Sequence, residues 1–159
     1  DTTDLTVFSQ MTYIWAPGPP VGVKVSGGAA LNRALTLWKG WSTIEDWGVW
    51  TDGQTAEVAF DTEGLPDRFQ ITLVGSLITP RQGSQQVRVL DQFDRELAAV
   101  RSTSSKQASI TFTIDRKKYP RIAIIRFEIE SPVSPHDLGT PGTRQLGFGL
   151  RSWIIDGLD

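Results

Sequence analysis

Runs in which apolar and polar residues alternate with a period of two dominate this sequence and constrain its fold more than any other feature. Such alternation is typical of β-strands with one buried face. Runs of this kind begin at Ala56, Phe69, Val87, Ile110 and Arg121. Turn-forming Gly, Pro, Asp and Ser residues separate them, and residues 28–36 favour at most a turn or two of helix. The pattern predicts an all-β, jelly-roll-like β-sandwich of about eight to ten antiparallel strands.

Two strand-like segments depart from simple alternation. In residues 121–130 the apolar phase slips at Ile124 and Ile125, which predicts either a β-bulge or burial on both faces. Residues 146–155 are apolar on both faces and contain two glycines. The second segment is therefore predicted to be a central strand that another layer approaches closely.

Length, charge and cysteine content exclude several classes of protein. A chain of 159 residues suits one domain, here divided into a leading segment (1–33) that packs on or links to a β-sandwich domain (34–159). The formal net charge of −2 without a basic stripe argues against nucleic acid as a partner. Without cysteine the chain forms no disulfide or thiolate site. No apolar run is long enough for direct membrane insertion.

Residues for catalysis or metal binding are sparse. The single histidine, His136, lies in a proline-rich segment beside Asp137 and is more typical of a surface loop than of a catalytic triad. Glu45 with Asp46 or Asp52 supplies the carboxylates of a glycosidase, which would need them roughly 5–10 Å apart. No metal motif occurs and no cofactor is expected, although a single structural Ca²⁺ held by loop carbonyls remains compatible with the sequence.

Four of the six tryptophans lie between Trp38 and Trp50. Trp38, Trp41 and Trp153 are predicted to pack in the core, because large residues close small sandwiches. Trp47 and Trp50 lie in a loop with Gly48 and are better candidates for exposure. Indole rings pack on the C–H faces of sugars, and their N–H groups donate hydrogen bonds.

Charged residues surround these tryptophans. The predicted ligand-binding set is Trp47, Trp50, Glu45, Asp52, Arg144 and Arg151. A structural alternative is that Arg144 or Arg151 pairs with Glu45 and joins the 42–53 loop to the last strand, a pair worth about 3–5 kcal/mol if buried. The functional alternative is contact with an acidic glycan or a sugar phosphate.

Two blocks, residues 40–53 and 138–152, resemble a known family. Its members are C-terminal β-sandwich domains of unknown function found in bacterial phosphoglycerol transferases that modify periplasmic glucans, and in multi-spanning membrane glycosyltransferase-like proteins. The matching positions are Ser42, Glu45, Trp47, Gly48, Trp50, Arg144, Leu146, Gly147 and Gly149. The resemblance implies a domain at the periplasmic or extracytoplasmic face of the bacterial inner membrane, with transfer chemistry in a separate domain.

The leading hypothesis is a non-catalytic carbohydrate-binding accessory domain of an envelope glycan-modifying or glycosyltransferase protein. Its partners would be an oligo- or polysaccharide such as periplasmic glucan, and the enzyme domains of its parent. The alternative is a structural, docking or oligomerisation module without a ligand of its own. Because the two blocks belong to one pattern, the strand ending at Trp38–Trp41 is predicted to lie beside residues 146–155, with Glu45 near Arg144.

Overall fold

The computed structural model describes residues 17–158, which form two antiparallel β-sheets packed face to face. In chain order the strands are β1 (Val25–Ser26), β2 (Thr36–Lys39), β3 (Val49–Trp50), β4 (Thr55–Asp61), β5 (Arg68–Leu77), β6 (Gln85–Asp91), β7 (Glu96–Ser102), β8 (Lys106–Asp115), β9 (Ile122–Ile129) and β10 (Phe148–Leu158). Helix α1 (Gly28–Ala34) lies between β1 and β2, and short 3₁₀ turns span Arg116–Lys118 and His136–Leu138. The predicted β-sandwich is confirmed.

The first sheet has the strand order β1-β10-β5-β8, with β3 also paired to β10. The second sheet has the order β2-β4-β9-β6-β7. In β5 and β8 every second side chain is buried, as the alternation predicts. β10 has neighbours on both sides, so its prediction as a central strand is confirmed.

Aromatic side chains join the two sheets in the core. Phe60 of the second sheet packs edge-on against Trp153 of the first, with ring centroids 5.3 Å apart. Phe127 of the second sheet stacks on Phe148 of the first, with ring centroids 5.8 Å apart. All four side chains have no accessible surface. The prediction that Trp153 packs in the core is therefore confirmed.

The phase slip in β9 reflects burial on both faces. Ile125 lies in the core between the sheets, whereas Ile124 points outward and is covered by Trp38, Ala59 and Ile122. The pairing of β9 with its neighbours shows no register shift there. Trp38 therefore packs on the outer face of the second sheet, and its prediction as a core residue is wrong. In β2 it is Leu37 that packs against the core.

The pairing of β2 also corrects an expectation. β2 pairs with β4 in the second sheet, not with β10 in the first. The residues beside β10 are instead Val49–Trp50 and Val25–Ser26. Alternation shows which face of a strand is buried but not which strand lies next to it, and the predicted pairing of residues 38–41 with residues 146–155 is wrong.

Residues 17–34 pack against the sandwich through β1 and α1. Val25 and Leu31 contribute to the core. Gly28, at the start of α1, lies so close to the carbonyl oxygens of Glu45 and Gly48 that a Cβ there would overlap them. Treating residues 1–33 as a leading segment stays a prediction, and its residues 1–16 lie outside the described part of the chain.

Candidate functional site

Residues 41–51 form a β-hairpin at one end of the first sheet. Trp41 bridges to Thr51, and the N–H of Ser42 donates to the carbonyl of Trp50 at 2.9 Å. Glu45 and Gly48 exchange backbone hydrogen bonds of 2.8 and 3.2 Å around the tip. The hairpin thus carries Asp46 and Trp47 at its turn and Trp50 on its second strand.

The second strand of this hairpin attaches to β10. Val49 and Trp50 pair with Leu150 and Gly149 respectively, and the N–H of Thr51 donates to the carbonyl of Phe148 at 2.9 Å. Val49 is fully buried. Because side chains alternate along a strand, Trp50 points to the opposite side, the outer face of the sheet.

Trp47 and Trp50, hereafter the tryptophan pair, contact each other on this outer face. Their rings meet edge to face, with centroids 5.2 Å apart and planes at 68°. Both rings lie over Gly149, where a Cβ would come within 2.9 Å of each. Both are half-buried. A glycine at position 149 therefore makes room for the pair to lie against the backbone of β10.

Arg151 extends the tryptophan pair along β10. Its guanidinium lies 5.0 Å from the centroid of the Trp47 ring, and its Nε donates to the hydroxyl of Ser76 at 2.9 Å. Arg151 occupies the position at which the register of β10 against β5 shifts, between Leu150 and Ser152. A bulge of this kind re-aims a side chain, here towards Trp47.

Strand register places four residues in one row across the outer face. Trp50 pairs with Gly149, Gly149 with Ser76, and Ser76 with Gln107. At the usual spacing of neighbouring strands the row is roughly 14 Å long. Ser76 and Gln107 were not among the predicted site residues. Alternation in β5 and β8 indicates their face, but only the pairing of distant strands brings them beside the tryptophans.

Arg144 and Asp52 secure the hairpin to the segment before β10. Nη1 of Arg144 lies 3.1 Å from the hydroxyl of Ser42 and 3.5 Å from Oε2 of Glu45. Oδ1 of Asp52 accepts a hydrogen bond from the N–H of Gln145 at 2.8 Å. The structure thus brings Glu45 and Arg144 together as predicted, in contacts that support the hairpin. Arg151, the other arginine considered as a partner, forms no ion pair with Glu45.

We expect Glu45→Gln to lower the free energy of unfolding by no more than about 1 kcal/mol. The Arg144 and Glu45 side chains are 41% and 39% exposed, and exposed ion pairs contribute about 0–1 kcal/mol. The figure of about 3–5 kcal/mol applies to a buried ion pair. It does not apply to Glu45 and Arg144, because both side chains are exposed to solvent. Urea denaturation of both proteins measures the difference, and a loss above about 3 kcal/mol would contradict it.

Trp41 and His136 lie away from the tryptophan pair. Trp41 packs edge-on against Phe127 at 5.7 Å and donates its indole N–H to the carbonyl of Glu57 at 2.8 Å, so it closes the core as predicted. His136 is exposed in its 3₁₀ turn. Among residues 17–158 no three His, Asp or Glu side chains are grouped to hold a metal ion, and no helix is long and apolar enough to span a bilayer.

The outer face of the second sheet differs in chemistry. It carries a groove of about 450 Å³ lined by Gln54, Thr55, Gln86, Arg88, Glu128, Ile129 and Glu130. The charges there satisfy one another, since Arg88 contacts Glu96 at 2.7 Å and Glu128 at 3.0 Å. The tryptophan pair and the row of uncharged polar side chains beside it lie on the outer face of the first sheet, which makes that face the candidate site.

Solved structures of similar fold include two domains from Paenibacillus barcinonensis Xyn10C, both described as xylan-binding. The CBM22-2 domain matches with a TM-score of 0.54 and 9% identity over 86% of this chain and 99% of that domain. The CBM22-1 domain gives 0.52 and 10% over 88% and 96%.

A third is the CBM36-1 domain of a multidomain xylanase from the hindgut metagenome of Trinervitermes trinervoides, with a TM-score of 0.50 and 12% identity over 86% of this chain and 98% of that domain. At such identities the likeness is one of fold. No curated protein matches the sequence. Residues 28–156 match the model of a family described as a domain of unknown function, DUF7024, and the chain belongs to that family.

Proposed function

We propose that this chain is a non-catalytic carbohydrate-binding accessory domain whose ligand lies on the outer face of the first sheet. The observation that carries the proposal is the outward-facing tryptophan pair, with polar side chains in the same row. Sugars present apolar C–H faces that pack on aromatic rings, and hydroxyl groups that need hydrogen-bond partners. Trp47 and Trp50 offer the first kind of contact, and Ser76, Gln107 and Arg151 the second.

The remainder of this face favours the same ligand class. Apart from Val74, the outward side chains of β5 over residues 70–76 and of β8 over residues 107–113 are Gln70, Thr72, Ser76, Gln107, Ser109, Thr111 and Thr113. All are uncharged donors and acceptors, and the hydroxyls of Thr72 and Thr111 lie 3.3 Å apart. A sugar chain that leaves the tryptophan pair would therefore cross a surface of hydroxyl and amide groups. The similar folds described as xylan-binding also support an oligo- or polysaccharide partner.

Context extends the proposal to a larger protein. The resemblance of residues 40–53 and 138–152 to domains of phosphoglycerol transferases supports a parent that modifies or transfers envelope glycans. The domain would then lie at the periplasmic or extracytoplasmic face of the bacterial inner membrane and hold periplasmic glucan near enzyme domains of its parent. Binding by the domain would raise the effective concentration of the glucan at those enzyme domains. Protease added to spheroplasts that express the parent should digest the domain, and protection would contradict this location.

Trp47→Ala is expected to weaken glycan binding by more than about tenfold, because truncation of a central aromatic contact typically costs more than 1–2 kcal/mol. The titration uses gluco-, xylo-, manno- and galacto-oligosaccharides together with soluble periplasmic glucan. Isothermal calorimetry measures the affinity, and tryptophan fluorescence of the unmutated chain provides a second signal.

Trp38→Ala is the matched control, because Trp38 is half-buried on the outer face of the other sheet. It should leave the affinity unchanged. Should the chain bind none of these glycans at millimolar concentration, or should the two variants lose affinity equally, the proposal fails. The docking alternative would then be tested by capture of the parent's enzyme domains.

A further inference from the structure

Arg151 is held in place by its neighbours without an acidic partner. The Trp47 ring covers one side of its guanidinium at 5.0 Å, and Ser76 accepts from its Nε at 2.9 Å. Within residues 17–158 no carboxylate lies within ion-pair distance of Arg151. Its two terminal nitrogens therefore have no acceptor among the described residues, and the side chain is exposed.

Most of the other arginines have an acidic partner. Ion pairs join carboxylates to Arg88, Arg95, Arg101, Arg116, Arg121, Arg126 and Arg144. Two carboxylates precede Trp47 in the hairpin. Glu45 already contacts Arg144, and Asp46 is exposed and forms no ion pair with Arg151. Asp156 points outward from β10 but lies five residues beyond Arg151, about 16 Å along the strand. The surface around the tryptophan pair thus presents an oriented guanidinium that has no ion-pair partner among the described residues.

We propose that the glycan bound at the tryptophan pair is anionic and that Arg151 binds its acidic group. This inference rests on the proposed carbohydrate-binding function and specifies its ligand class. A guanidinium offers a planar fork of donors that matches a carboxylate or a phosphate group. With Nε held by Ser76 and one face on Trp47, the terminal nitrogens are the donors left for a ligand. A sugar ring on the tryptophans would carry its acidic substituent to that edge.

The positioning of Arg151 lowers the cost of this contact. An arginine free in solution loses side-chain entropy when it is fixed on a ligand. Here the indole and the Ser76 hydroxyl already restrict the side chain before ligand binds, so less entropy is lost on binding. Cation–π contact also leaves the charge in place, since the ring attracts the cation without neutralising it.

The test compares matched neutral and anionic sugars. Trisaccharides of glucose with β-1,2, β-1,3 and β-1,4 linkages are each prepared in three forms: neutral, with the C6 groups oxidised to carboxylates, and with a C6 phosphate ester. Calorimetry on the whole chain should show at least one anionic form binding about tenfold or more tightly than its neutral counterpart. The preference should shrink as salt is raised, because exposed charges are screened.

Arg151→Gln should remove this preference while the neutral trisaccharide still binds. Arg151→Lys, which keeps a point charge without the fork, should retain part of it. Arg68→Gln is the matched control, since it removes the same charge from an exposed arginine at the far end of β5. It should leave the preference intact.

The outcomes separate the two proposals. A preference for carboxylate or phosphate forms that Arg151→Gln abolishes supports the inference and identifies the acidic group. Equal binding of neutral and anionic forms, with binding still lost in Trp47→Ala, overturns the inference and leaves the carbohydrate-binding function standing. A preference that survives in Arg151→Gln also overturns it. If no form of these trisaccharides binds, the inference fails, and if the wider glycan panel also shows no binding, the carbohydrate-binding proposal fails with it.

Discussion

Asp91→Ala is expected to lower the free energy of unfolding by about 3–5 kcal/mol, because it removes the acceptor of a buried hydrogen-bond network. The Asp91 side chain has no accessible surface, although its partner Arg95 is 47% exposed. It accepts hydrogen bonds from the N–H groups of Phe93 and Arg95 at 2.8 and 3.0 Å. Nε of Arg95 donates at 2.8 Å, and the hydroxyl of Tyr119 at 2.7 Å.

The expected loss follows from what the alanine variant leaves behind. One carboxylate serves four donors that close the turn between β6 and β7 and attach the segment before β9 to it. Without Asp91 those donors lose their acceptor, and the buried ones pay the cost of desolvation without a hydrogen bond. Denaturation in urea, followed by far-ultraviolet circular dichroism, measures the change.

The dependence on pH gives the same prediction a second test. Burial acts to raise the pKa of Asp91, but hydrogen bonds from Tyr119, the backbone of Arg95 and Phe93, and the Arg95 side chain together hold it below its ordinary value. Because the folded-state pKa lies below the unfolded value of about 3.9, this stabilisation is present above about pH 4. It is lost as the pH falls through the folded-state pKa. The difference between Asp91→Ala and the unmutated chain should therefore shrink below pH 4.

Asp94→Asn provides the control on the same turn. Asp94 is 74% exposed and pairs with Arg126 at 2.6 Å. Its φ is +62°, a conformation that asparagine tolerates. The Asp94→Asn variant should lose no more than about 1 kcal/mol of its free energy of unfolding. If it is as destabilising as Asp91→Ala, or if the loss at Asp91 persists unchanged at pH 3, the assignment of the energy to the buried carboxylate is wrong.

Trp153→Ala is expected to destabilise the domain by about 3–5 kcal/mol, as is usual when a fully buried large aromatic residue is truncated. Trp153 lies on β10 between Val25 of β1 and Leu73 of β5. Its indole packs edge-on against Phe60. The variant would leave a cavity between the two sheets at the centre of the core.

Trp153→Phe is the informative comparison. The indole Nε1 of Trp153 is buried and has no hydrogen-bond partner among the described residues. A buried donor without a partner costs about 1–3 kcal/mol, and phenylalanine removes it while keeping an aromatic ring against Phe60. We therefore expect a loss at least about 2 kcal/mol smaller than for alanine, as measured by urea denaturation. Equal losses in the two variants would contradict this account of the indole N–H.

Much of the architecture followed from local patterns. Alternation predicted the buried faces of β5 and β8, and the two glycines near the start of β10 marked a strand that other atoms approach closely. Those patterns follow from the backbone geometry of each strand by itself, so the local amino-acid sequence is enough to predict them. The division of the tryptophans was predictable in part. Trp153 is buried, whereas Trp47 and Trp50 face outward, and their role in ligand binding stays a prediction.

Two predictions about β2 were wrong: which of its side chains faces the core, and which strand it pairs with. In both cases the sequence favours the two alternatives almost equally. Leu37 and Trp38 are adjacent and both apolar, so the sequence does not show which faces inward. In the structure Leu37 packs against the core, and Trp38 covers Ala59 and Ile124 on the outside. The partner of β2 was equally open, because antiparallel strands of similar composition compete for the same neighbour until the whole sheet is assembled.

The sequence by itself determined the β-sandwich fold class, the positions of the turns and the residues available for a site. Tertiary structure decided which of those residues meet. Ser76 and Arg151 are 75 positions apart, and they come together because β5 pairs with β10 in one register that a bulge shifts at Arg151. Since pairing register depends on the packing of both sheets at once, no local segment contains it. That register joins the tryptophan pair, a hydroxyl and an unpaired guanidinium on one surface.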